Sequence, residues 1–176
     1  MINMRKILLL ISCLYALNSF AQTNSFPADF IGHWKGKIQW MVAGKPTTEF
    51  SAQLNIEPAD TAGQYTWTII YGDDQKDIRP YLLKPLDTAK GHWVVDERDG
   101  IILDSYVHGN NIHGAFTVQG TTLVDNYSVE NGKLTIEFFT IKLDQKTSSG
   151  KGTEETPFVN SYPIVVYHKG VLTKLD

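Results

Sequence analysis

The chain has 176 residues, a net charge of −3 and a single cysteine, Cys13. Its 16 Lys and Arg against 19 Asp and Glu exclude the basic footprint on which nucleic-acid binding rests, and equally disfavour docking on an anionic membrane surface. Four Trp, eight Tyr and eight Phe point instead to an aromatic-rich interior.

Residues 1–21 have the three parts of a secretory signal: Arg5 and Lys6, an apolar run over 7–17, and the small-x-small site Ser19-Phe20-Ala21. The run is shorter than the roughly 20 residues that span a bilayer. Leu10-Ile11-Ser12-Cys13 also resembles a bacterial lipobox, an alternative that would anchor the chain at Cys13. Because Leu14-Tyr15-Ala16-Leu17 prolongs the apolar run, cleavage after Ala21 and a secreted or periplasmic location are expected. Cleavage removes the one cysteine and leaves 14 basic against 19 acidic residues, a net −5. Residues 22–176 are then expected to form one monomeric domain. A chain of that size buries roughly 68–70% of its unfolded surface without disulfide support.

Residues 23–31 read as a lead-in, with one helical turn at Pro27-Ala28-Asp29-Phe30 and Ser25 as its cap. From Gly32 the pattern is β. Trp34, Ile38, Trp40 and Val42 alternate with His33, Lys35, Lys37 and Gln39, giving one buried and one wet face, with Gly36 on the buried side. After the turn Ala43-Gly44-Lys45-Pro46, inward faces continue with Phe50, Ala52, Leu54 and Ile56, then Tyr65, Trp67, Ile69 and Tyr71. Residues 77–84 follow Gly72-Asp73-Asp74; Pro80 lacks a ladder donor, so an edge or irregular place is expected. Segments 92–97 and 101–108 flank Arg98-Asp99-Gly100, a hairpin signal. Segments 112–119 and 122–129 part at Gly120, and Asn131-Gly132 turns into 133–142. Residues 144–156 have no apolar member and read as a mobile loop or a solvated hairpin excursion. The last segment is 158–168. About ten strands joined by short turns predict an all-β, antiparallel up-and-down barrel, since closure removes both sheet edges.

Phe30-Ile31-Gly32-His33-Trp34 resembles the opening Gly-x-Trp motif of lipocalins and calycin-like barrels, and the strand train fits their order over residues 22–176. The resemblance implies a small ligand-holding barrel, with Gly32 and Trp34 as structural motif residues. Three features depart from the pattern. Lipocalins usually lay an Arg from the last strands on that Trp, whereas residues 158–176 offer only Lys169 and Lys174. No C-terminal helix is evident, and residues 42–48 leave no room for the lid helices of fatty-acid-binding proteins. The chain is therefore read as a minimal bacterial calycin-like form.

Among candidate residues, Asp125 shares its side of a strand with Leu123, Tyr127 and Val129, which places a carboxylate inside the barrel. Such a group must be paired, protonated or near water; Tyr71 and Tyr162 are possible partners. With Asn110-Asn111 as a two-residue turn, His108 and His113 would face each other with Cβ atoms about 5 Å apart. They would point outward and lack a third ligand, so no metal is assigned. His168 faces inward. Haem-binding barrels of the nitrobindin type use a late histidine, but the rest of their pattern is not reproduced and no cofactor is expected. Asp96-Glu97-Arg98-Asp99-Gly100 and Gly72-Asp73-Asp74 read as turns, and no catalytic or phosphate-loop signature is present.

The expected function is binding of a small, mainly hydrophobic molecule, with Trp40, Trp67, Tyr71, Phe116, Asp125, Tyr127, Phe138 and Tyr162 lining the cavity. The alternatives are an envelope module with a filled barrel, marked by an exposed apolar patch, and an isomerase or lyase. The latter requires at least two converging titratable groups, of which only Asp125 is visible in the sequence; an enzyme is not the favoured reading.

Overall fold

The computed structural model describes residues 26–175; the expected signal over residues 1–21, with Cys13, and the expected cap Ser25 lie outside them. Ten antiparallel strands close into a barrel, each paired with its neighbour in sequence. They are β1 (Gly32–Val42), β2 (Thr48–Ile56), β3 (Tyr65–Tyr71), β4 (Asp77–Asp87), β5 (His92–Asp96), β6 (Ile102–His108), β7 (Asn111–Val118), β8 (Thr121–Glu130), β9 (Lys133–Lys142) and β12 (Ile164–Lys174). A two-stranded hairpin, β10 (Thr147–Ser149) and β11 (Val159–Ser161), interrupts the meander between β9 and β12. The seam joins β1 to β12, with Trp34 opposite Lys174 and Trp40 opposite His168.

Period-two alternation positions the core as expected. Trp34, Ile38, Ala52, Leu54, Ile56 and Trp67 are buried, while Lys35, Lys37 and Glu49 of the same strands are exposed. Tight turns hold the register. Gln119-Gly120 and Asn131-Gly132 have positive φ at both central residues, the twist that suits a two-residue hairpin. Pro80 pairs with Thr68 on β3, but β5 ends at Asp96 opposite Leu82. Its missing donor is tolerated where β4 outruns its other neighbour.

One end of the barrel is plugged. A single 3-10 turn, Ala28–Phe30, tucks Phe30 beneath Trp34, whose indole N–H donates to the Phe30 carbonyl at 2.8 Å. Leu83, Leu134 and Leu172 complete the base without measurable exposure. Burying one such indole removes about 150–250 Å², worth about 4–6 kcal/mol. Lys174 supplies the cation that the Gly-x-Trp resemblance sought in an Arg: its ammonium lies 5.4 Å from the Trp34 ring centre. Gly32 is what lets it pass. A Cβ there would stand 2.2 Å from Lys174 Cε, and its φ of +142° favours glycine.

Of the two readings of residues 144–156, the solvated hairpin excursion is the one found: Thr147–Ser149 pairs with Val159–Ser161, and Ser148 Oγ is 2.7 Å from Asn160 Oδ1. Two expectations need correcting. The final segment does not run unbroken over 158–168. It breaks between β11 and β12, where Tyr162-Pro163 intervenes, and β12 then continues to Lys174. The β6–β7 turn is Gly109-Asn110, because His108 pairs with Asn111 and His113 with Tyr106. The two imidazoles are therefore diagonal neighbours, ring centres 5.6 Å apart, on the outer face.

Candidate functional site

Above the plug the barrel is hollow. A cavity of about 230 Å³ opens at the end carrying the β1–β2, β3–β4 and β5–β6 turns. Its wall is mainly apolar, with Ile38, Phe50, Trp67, Ile69, Phe116 and Phe138 among the residues that form it. Trp67 meets Tyr127 edge to face at 5.0 Å, and Tyr127 meets Phe138 likewise at 5.7 Å. These contacts fix the rings as a continuous aromatic panel.

Polar groups interrupt this wall at a few places. Asp125 is 8% exposed. It stands opposite Gly114 on β7 and Phe138 on β9. A Cβ on Gly114 would lie 2.6 Å from Asp125 Oδ2, so the carboxylate occupies the space that glycine leaves. Burial pushes the Asp125 carboxyl up to about 6, opposed only by the Gly114 backbone N–H that donates to it. Neither Tyr71 nor Tyr162 is its partner: Gly114 takes that role. Ser105, also buried, is the next inward residue along this row, opposite Gly114.

Nearer the mouth, Arg79 forms a two-pronged pair with Asp77, both contacts at 3.1 Å, and its guanidinium lies 5.0 Å from the Tyr71 ring centre. The hydrogen bond from Arg79 holds the Asp77 carboxyl below its ordinary range. Burial raises Glu97, with Asp99 adding to the effect while Arg79 and the Tyr81 hydroxyl oppose it. Burial likewise raises Tyr71, Tyr81 and Tyr127 and lowers His168, disfavouring the charged form of that imidazole. His168 borders the cavity among Trp40, Phe50 and Phe138, at ring distances of 5.4, 6.4 and 6.3 Å. Among the described residues no group of three or more His, Cys, Asp or Glu is placed to hold a metal ion.

Of the residues expected to line a pocket, Trp67, Tyr71, Phe116, Asp125, Tyr127 and Phe138 come together on its wall. Trp40 does not: it stands at the rim, 46% exposed. Tyr162 is exposed in the β11–β12 connection, where Pro163 interrupts the strand and carries it away from the interior. Sequence reasoning missed Arg79, Tyr81, Glu97 and Ser105. The signal was available, since Arg79 and Tyr81 share the parity of buried Leu83, and Glu97 that of Trp93 and Val95. Charge and adjacency to a turn hid them. The cavity consequently holds several titratable groups where Asp125 alone had been expected.

No protein-family model matches the chain, and no curated protein matches it. Among solved structures it is similar to a protein of unknown function from the DUF3598 family of Nostoc punctiforme PCC 73102, with a TM-score of 0.59 and 9% sequence identity. The match covers 84% of this chain and 48% of the other, so this chain spans about half the length of that neighbour. At that identity the likeness is one of barrel architecture.

Proposed function

We propose that the chain is an exported, calycin-like barrel that binds a small, mainly hydrophobic molecule in its interior. The observation that carries this reading is the aromatic cavity, sealed below by the Phe30–Trp34 plug and open above. Such a hollow in a barrel of eight to ten strands suits one small guest. Its size favours a compact molecule over a long acyl chain. Trp67 is the reporter, being the one Trp on the cavity wall. Titration of intrinsic fluorescence with short fatty acids, retinoid fragments and haem should give a saturable change for at least one class, lost in Trp67→Phe. No response across the panel would overturn the reading.

A specific observation favours a second reading, that of an envelope interaction module. The β10–β11 hairpin and the start of β12 expose Phe158, Val159, Tyr162 and Ile164 in close succession. Co-purification of an envelope partner, lost when Phe158 and Val159 are changed to Ser, would support this role.

A further inference from the structure

The chemistry of the guest can be narrowed, given the carrier reading above on which this step rests. The charged groups facing the cavity are Arg79, Glu97, Asp104 and Asp125, with His168 and the hydroxyls of Tyr71, Tyr81 and Tyr127 beside them. The one cation, Arg79, is already engaged by both carboxylate oxygens of Asp77 and lies over Tyr71. Asp104 turns its carboxylate to His92 and is largely exposed. Glu97 accepts from the Tyr81 hydroxyl. Asp125 differs from all of these. It is more than nine-tenths buried, its oxygens lie in the gap over Gly114, and no cation pairs with it among the described residues. Phe138 is its register partner on β9, and Tyr127, two residues along β8, makes edge-to-face contacts with both Phe138 and Trp67.

A carboxylate set among electron-rich rings is the pairing that recognises an ammonium group, by charge and by cation–π attraction. We propose that the cavity binds a small primary amine with an apolar body, the ammonium donating to Asp125 and the body lying on the Trp67–Tyr127–Phe138 panel. A bound ammonium supplies the counter-charge that the fold itself leaves out. The direction of the Asp125 shift agrees, since burial without a cation is what raises it.

The test is calorimetric titration of the purified chain with three molecules of nearly one shape: 2-phenylethylamine, 2-phenylethanol and phenylacetate. At pH 7.5 the amine should bind at least about tenfold more tightly than the alcohol, the margin expected for a charged hydrogen bond. That margin should shrink as pH falls through about 6 and Asp125 takes up a proton. In Asp125→Asn it should fall to about twofold or less while alcohol binding is kept, and in Glu97→Gln it should persist. Equal binding of amine and alcohol, a preference for the carboxylate, or loss of the margin in Glu97→Gln alone would each overturn the amine assignment while leaving the carrier reading intact. Binding of none of the three would overturn the amine assignment as well, and the carrier reading would then stand or fall on the fluorescence panel above. The comparison within the wild-type chain decides the matter even if a variant fails to fold.

Discussion

Asp125 sets a stability penalty whose sign and pH window follow from its surroundings. Its carboxyl is raised from 3.8 to about 6 by burial. At 1.36 kcal/mol per pH unit the difference corresponds to about 3 kcal/mol. Because the folded value lies above the unfolded one, the favourable contribution is complete below pH 3.8 and is lost as pH rises through 6. Above that range the fold carries an ionised group in an apolar wall. Asp125→Asn removes the ionisation yet keeps an oxygen to accept from the Gly114 N–H. The variant should therefore be more stable than the wild type at pH 7.5 by about 2–3 kcal/mol. For a chain of this size that is about 4–12 °C in Tm. The gap should close below about pH 4. Urea denaturation followed by circular dichroism at several pH values between 4 and 8 measures it directly. A gap independent of pH, or a variant less stable than the wild type at pH 7.5, would refute the reasoning. A less stable variant would mean that the carboxylate is paired within the fold, and a pH-independent gap that its ionisation does not set the difference.

Other substitutions probe the packing around the cavity and its plug. Gly114→Ala drives a Cβ to within 2.6 Å of Asp125 Oδ2 and should cost about 1–3 kcal/mol. In an Asp125→Ala background most of that cost should vanish, a coupling that a double-mutant cycle in urea would read. Gly32→Ala meets both a φ of +142° and Lys174 Cε, so a loss of about 1–3 kcal/mol is expected. Adding Lys174→Ala should recover the steric part alone. Replacing residues 147–161 with a short Gly/Ser linker should change barrel stability by less than about 1 kcal/mol, because that hairpin is exposed throughout. Thermal unfolding would reveal a larger loss if the excursion braced the barrel.

The strand train was legible because alternation and turn chemistry agreed along most of the chain. β9 runs from Lys133 to Lys142 as its pattern indicated, entered through Asn131-Gly132. The second half of β12 was not legible. Gly170 and two lysines dilute its apolar signal, although Gly170 is required there: a Cβ would stand 2.8 Å from Ile38 Cγ1. That contact comes from across the seam, which no local pattern records. The cation on Trp34 was hidden for the same reason. Lys174 meets Trp34 only because β12 pairs with β1, in a register that closure alone dictates.

The polar lining shows a different limit. Arg79, Glu97 and Asp125 all sit at inward parity, yet parity cannot tell a tolerated charge from a register slip. What separates them is the set of partners that the barrel brings round. Arg79 meets Asp77 two residues away on its own strand, and Glu97 meets Tyr81 on the neighbouring one. Asp125 meets a glycine and a phenylalanine. An ordinary core would have answered that position with a cation, a hydroxyl or an apolar residue. The barrel answers it with one backbone N–H and open space, so a group the fold holds at a cost is the one that most narrows the chemistry of a guest.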